Sequence, residues 1–278
     1  MNTTDALKKD FNSFTVTFFS DVHHGDHNYN DFACTDGLKK LRTILKETQH
    51  SDFYINLGDI CDYLKDGNID FYHEISDVFS EFGIANADSA NASAQRRVYN
   101  CMGNHEAAFI KKERLKQFIP YTEHAGSCFM FSYEGVLFIA IDASFDRKTG
   151  SDDPEILRTS TAFTLPESQT KYLLNMTEKY MNGHKSLVWI SHIAFKDIDD
   201  SKWKLVEGLQ KYNLPLTIFE GHTHIENYEK QCCKTNQSTI EIYTLPAVTS
   251  GRGYRYYNVS FSNGMIEAVY KHTEGIID

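Results

Sequence analysis

Seven side chains able to hold metal ions fall in five short stretches of this 278-residue chain. Asp21 and His23 lie in Ser20-Asp21-Val22-His23, Asp59 in Gly58-Asp59-Ile60-Cys61-Asp62, and Asn104 in Gly103-Asn104-His105-Glu106. His192 follows Ser191, and His222 and His224 end Phe219-Glu220-Gly221-His222-Thr223-His224. Carboxylate, amide oxygen and imidazole together suit borderline divalent cations such as Mn, Fe, Zn or Co. Asp59 stands in the middle of the set, where one carboxylate can bridge two ions. Two ions a few ångströms apart can clamp a phosphate and generate a hydroxide between them.

Each stretch follows an apolar, β-rich run, so the candidates are expected where strands end. Those runs cover residues 14–19, 53–57, 97–102, 187–190 and 216–219. Gly58 lets the chain turn sharply as it delivers Asp59. Helices are expected over 34–49, with Leu38, Leu41 and Leu45 on one side, and over 71–82, with Ile75, Val78, Phe79 and Phe82. Further helices are expected over 106–118, 166–180 and 203–209. Residues 84–95 are small and polar and read as a loop or a weak helix start. Glu134-Gly135 signals a hairpin between 127–133 and 136–141. Residues 142–163 show no clean period and read as a long loop beside the cleft. Closing antiparallel strands are expected at 239–244, 256–261 and 265–270. Strand, site residue and helix recur three times at the start, and ligand sites at the carboxyl ends of strands are expected in open α/β sheets. Periodicity alone therefore gives a mixed α/β chain.

The order Asp-x-His, Gly-Asp-x-x-Asp, Gly-Asn-His-Glu, a later His and Gly-His-x-His resembles the calcineurin-like metallophosphoesterases, from about residue 15 to residue 257. One such tripeptide is weak; five in the right order, each behind an apolar run, are specific. The resemblance implies a two-sheet β-sandwich flanked by helices, α/β (α+β) in class. It also implies one metal held by Asp21, His23, Asp59 and His224, and a second held by Asp59, Asn104, His192 and His222. His105 would be the general acid, with in-line attack by a metal-activated hydroxide on the phosphorus. Asp62 would orient His105 through a hydrogen bond, as outer-shell carboxylates do. Glu106 stands where the family often has Asp, a conservative change.

Three further groups lie near the motifs. Arg252 and Arg255 could clamp a phosphate oxygen. Tyr254, Tyr256 and Tyr257 could frame a ring, although an aromatic closing strand is the commoner reason for such residues. His24 and His27 lie in a polar loop and are expected to face water.

Bulk composition narrows the function. Apolar residues make up 41% and charged residues 24%, enough to bury a full core in a single domain over 1–278, with the core at about 15–260. Lys and Arg number 28 against 38 Asp and Glu, a net charge of −10, and no basic stripe appears. That balance disfavours nucleic acid as a partner and leaves small phosphates open, because bound cations invert the local field. The six cysteines show no Cys-x-x-Cys spacing, the first ten residues carry no signal-peptide core, and no apolar run approaches a membrane span. A reduced, cytoplasmic setting is expected, with a secreted disulfide protein as the alternative. The expected activity is hydrolysis of small phosphomono- or phosphodiesters with two divalent metal ions. The alternatives are a non-catalytic interaction module on the same fold and a nuclease-type phosphodiesterase.

Overall fold

Val16 and Phe18 alternate with Thr17 and Phe19 along strand β1 (Phe14–Phe19), and all four are buried. A strand buried on both faces must lie inside a layered structure. The computed structural model describes residues 11–25, 36–62, 69–87, 96–122, 125–232, 239–249 and 253–274. In it β1 runs parallel to β2 (Phe53–Asn56), which pairs with β4 (Arg96–Asn100) and through it with β3 (Ile84–Asn86). On its other side β1 meets β11 (Tyr254–Ser262), antiparallel, and then β12 (Met265–Glu274). The second sheet has β6 (Val136–Ile141), β7 (Ser186–Ser191), β8 (Leu216–Glu220) and β10 (Thr239–Thr244) in parallel. Antiparallel β5 (Phe129–Tyr133) and β9 (Asn227–Cys232) edge it. Each sheet has six strands.

The inner faces meet through Val16, Phe18, Ile55, Phe138, Val188, Ile190 and Phe219. Phe18 and Phe219 stack across the interface with ring centroids 4.3 Å apart. A side chain as fully buried as Phe18 contributes roughly 2–3 kcal/mol. Helices α1 (Gly37–Glu47) and α2 (Asp70–Glu81) cover the first sheet with Leu41, Ile44, Ile75, Val78 and Phe79. Helices α5 (Glu167–Tyr180) and α6 (Ser201–Gln210) cover the second with Leu173, Leu205, Val206 and Leu209. The two-sheet sandwich flanked by helices is the fold that the motif resemblance implies.

Strand register brings the site loops to one edge. Phe19 pairs with Asn56 and Asn56 with Asn100, so the chain leaves three neighbouring strands at one level. Ser191 and Glu220 are paired likewise in the other sheet.

Several elements differ from expectation. Ile84–Asn86 is an edge strand, short but anchored by buried Ile84. Helix α3 (Asn104–Phe109) stops short, because Ile110 is extended, and only a 3-10 turn follows at Lys112–Leu115. That break turns Lys112 inward, where Nζ donates 2.8 Å bonds to Asp142 Oδ2 and to the Ser144 carbonyl. The stretch 142–163 holds a short helix, α4 (Pro154–Leu157), whose N-cap Asp153 accepts from the Glu155 N–H at 2.9 Å. Strand β9 has no apolar alternation to announce it. No described helix is long and apolar enough to cross a membrane.

Candidate metal centre

The loops after β1 and β2 are zipped together by backbone bonds. Asp21 N–H donates to Gly58 O at 3.0 Å, His23 to Asp59 O at 3.0 Å and His24 to Ile60 O at 2.9 Å. Holding Asp21, His23 and Asp59 in these turns puts their φ at 58°, 48° and 49°, the left-handed region that non-glycine residues avoid. His222 and His224 share that conformation, at 70° and 59°. Among the described residues eight non-glycine positions have positive φ, and five are candidate ligands. Strain of this kind concentrates at functional sites. Gly58 is needed twice over: its φ is 110°, and a Cβ there would lie 2.8 Å from His192 Cβ. At Gly103 a Cβ would fall on the Asp59 carboxylate and backbone.

All seven predicted side chains converge. Asp21, His23 and His224 bring a carboxylate oxygen and two ring nitrogens within 4.8 Å of one another, and Asp59, His192 and His222 do the same. Asp59 also groups with His23 and His105, so it adjoins the first set through His23. Asn104 Oδ1 lies 2.9 Å from His192 Nε2 and 2.8 Å from His222 Nδ1. His23 Nε2 stands 3.1 Å from His224 Nε2, and these nitrogens are 3.5 and 3.1 Å from Asp21 Oδ1.

Lone-pair atoms crowded this way fit a cation. Asp21 Oδ1 is buried and makes no hydrogen bond of acceptable geometry among the described residues, although the two imidazoles face it. Buried polar atoms are rarely left so. The donor set, carboxylate and amide oxygens with imidazole nitrogens, is that of borderline divalent metals.

Charge coupling inside the cluster is strong. Burial alone would raise Asp21, but His192, His224 and His23 hold its carboxyl well below the usual range. Asp59 is lowered against the same burial, chiefly by His192 and then His105. Burial opposes protonation of His192, yet the charges of Asp59 and Asp21 carry it up to about 9. His222 goes the other way, lowered to about 4 by burial and by His192. Divalent ions entering this cluster displace such protons.

His105 sits at the rim with its side chain 37% exposed. Its Nδ1 donates to Asp62 Oδ1 at 2.7 Å, which fixes the ring, and Nε2 lies 3.9 Å from Asp59 Oδ2. Burial lowers its proton affinity, but Asp59 and the Asp62 bond outweigh it, up to about 10.

Two buried glutamates support the turns. Glu106 accepts the N–H groups of Asp59, Cys61 and Gly103 at 3.0, 2.9 and 2.9 Å, tying the β2 and β4 turns together. Burial and then the Asp59 charge push it up to about 7. A glutamate three residues after the turn glycine, able to accept that glycine's N–H as in half of a capping box, was the available signal for it. Glu220 accepts the Phe195 N–H at 2.7 Å and the Thr244 hydroxyl at 2.8 Å, and burial pushes it up to about 7. No local pattern marks it.

The peripheral candidates divide. His24 is paired with Glu74 at 2.7 Å rather than facing water, because α2 brings that carboxylate to it. Arg255 lies in β11 opposite Thr273, and no hydrogen bond or ion pair among the described residues joins it to the cluster. Tyr254 and Tyr256 donate their hydroxyls to Glu47, and Tyr257 donates to the Thr244 carbonyl at 3.3 Å. Arg252 and His27 lie outside the described residues.

The calcineurin-like phosphoesterase family model matches residues 14–226. The chain belongs to that family. It is a metallophosphoesterase, a phosphoric ester hydrolase of a family that uses divalent metal ions. No curated protein matches the phosphoesterase sequence. Among solved structures it is similar to a dimetal phosphatase from Danio rerio, with 14% identity, a TM-score of 0.66 and coverage of 95% of this chain and 97% of that one. It is also similar to the NAD nucleotidase of Haemophilus influenzae, with 16% identity and a TM-score of 0.50, covering 94% of this chain and 56% of that one. At such identities the likeness is one of fold.

Proposed function

We propose that this phosphoesterase hydrolyses small phosphomono- or phosphodiesters with two divalent ions, Mn, Fe, Zn or Co. Asp21, His23, Asp59 and His224 would hold one ion, and Asp59, Asn104, His192 and His222 the other. The observation that carries the reading is the place of Asp59, whose carboxylate groups with His192 and His222 and also with His23, a member of the other ligand set. Ions held there supply Lewis acidity toward a phosphoryl group and the attacking water.

The chain's own groups do the rest. His105 would offer a proton from Nε2 to the departing oxygen, and Asp62, bonded to Nδ1, turns Nε2 toward the cluster. Glu106 holds the Asp59 turn through three backbone bonds, so the bridging carboxylate is positioned before any ligand arrives. A reduced, cytoplasmic setting fits the unbonded, buried Cys61, Cys101 and Cys128.

The test is metal analysis joined to hydrolysis of p-nitrophenyl phosphate and bis-p-nitrophenyl phosphate by protein stripped of metal and refilled with Mn. Two ions per chain and metal-dependent turnover are expected. Two bound ions with no turnover on either ester would shift the reading to a non-catalytic module.

A further inference from the structure

A pocket of about 210 Å³ opens beside His105 and adjoins the metal candidates at Asn104. Asp62, Asn104 and His105 form its inner end, and Ala108, Phe109, Leu157, Arg158 and Ser160 line the remainder. Its outer wall exists because α4 packs against α3, which brings residues from the 142–163 stretch in front of the Gly-Asn-His-Glu helix. Ala108 and Leu157 are buried and Phe109 half-buried, so this wall is apolar. Arg158 is exposed, with its guanidinium carbon 5.1 Å from the centre of the Phe109 ring, a stacked cation–π contact. None of the ion pairs among the described residues involves Arg158, whereas Arg42 and Arg147 have carboxylate partners. On a chain of net charge −10, a guanidinium without a carboxylate at a pocket mouth is a local attraction for anions.

The pocket's inner end contains the group that would protonate a departing oxygen. Whatever occupies the outer end of the pocket is therefore attached to that oxygen. We propose that this pocket is the leaving-group subsite and takes an aromatic leaving group that carries a second negative charge. The ring would lie along Phe109 and Leu157, and its anionic substituent would meet Arg158. This rests on the phosphoesterase reading above. The volume holds one ring and a small charged substituent, not a polymer.

Phenyl phosphate and 4-carboxyphenyl phosphate differ by one carboxylate and test the assignment, alongside the non-hydrolysable phenylphosphonate and 4-phosphonobenzoate, whose binding is free of any leaving-group effect. With the Mn-loaded protein, kcat/KM is expected to favour the carboxylated ester, and calorimetry to show the same preference between the phosphonates. Arg158→Met should lower kcat/KM for the carboxylated ester about tenfold, the scale of one charge-assisted hydrogen bond, chiefly through KM. It should leave phenyl phosphate within about twofold, since that ester never meets the guanidinium. Phe109→Leu should weaken both esters together. Equal kcat/KM for the two esters, with Arg158→Met changing neither, overturns the subsite while leaving the hydrolase reading intact. Failure of the metal-loaded wild type on both esters and on the nitrophenyl esters overturns both readings.

Discussion

The two sheets contribute different chemistry to one site. The β1, β2 and β4 ends supply Asp21, His23, Asp59 and Asn104, three of them oxygen donors, on turns zipped to one another by backbone bonds. The β7 and β8 ends supply imidazoles only, His192, His222 and His224. A buried glutamate stands behind each side, but Glu106 gathers N–H groups from two separate turns, whereas Glu220 gathers one N–H and one hydroxyl. The half that carries Asp59, the carboxylate proposed to be shared, is the half whose backbone is most heavily tied. From that difference it follows that the turn carrying Asp59 is held by its neighbours, Glu106 above all.

The contrast can be broken most directly at the ligands. Asp59→Asn should remove both ions and lower turnover on the order of a thousandfold or more, because it withdraws charge from two sites at once. His224→Ala touches one group only and should leave about one ion per chain. Metal analysis separates these outcomes, and one retained ion in Asp59→Asn would contradict a shared carboxylate.

His105→Ala tests a residue on the first sheet's side, in the helix after β4, that lies outside the proposed ligand set. Turnover of an alkyl phosphate should fall on the order of a hundredfold, the scale of general acid catalysis, with much less loss on p-nitrophenyl phosphate. Nitrophenolate leaves without needing a proton. Equal losses on both esters would remove the general-acid role.

The smaller effects lie at the glutamates. Glu106→Gln turns one oxygen into a donor facing backbone N–H groups, so it should cost about 2 kcal/mol of stability and weaken metal binding about tenfold. Glu220→Gln should cost about 1 kcal/mol, with metal affinity within about threefold, below the usual effect of a supporting residue. Denaturant midpoints and metal titrations measure both, and equal metal losses in the two variants would erase the distinction between the halves.

What could be read beforehand followed from contrast along the chain. Apolar β runs broken by Asp, His or Gly announced both the strands and the turns that gather the seven candidates. Strand β9 escaped because an edge strand facing solvent needs no apolar alternation, and Asn227–Cys232 has none. Strand β3 escaped because three residues are too few to show a period. The early end of α3 goes with Lys112 reaching Asp142 thirty positions away, a pairing no local window contains. Glu106 carried a readable capping pattern; Glu220 did not, since its partners Phe195 and Thr244 come together only in the folded sheet.

Five left-handed residues among the candidate ligands have a consequence for descent. Each costs about 1 kcal/mol that glycine would not. While the site is under selection, that cost is tolerated for the side chains it aims. In a lineage where the activity ceased to matter, exchange to glycine at 21, 23, 59, 222 or 224 would be rewarded by a steadier fold. Decay would thus be written first into the active positions themselves, as glycines, long before the surrounding strands drifted.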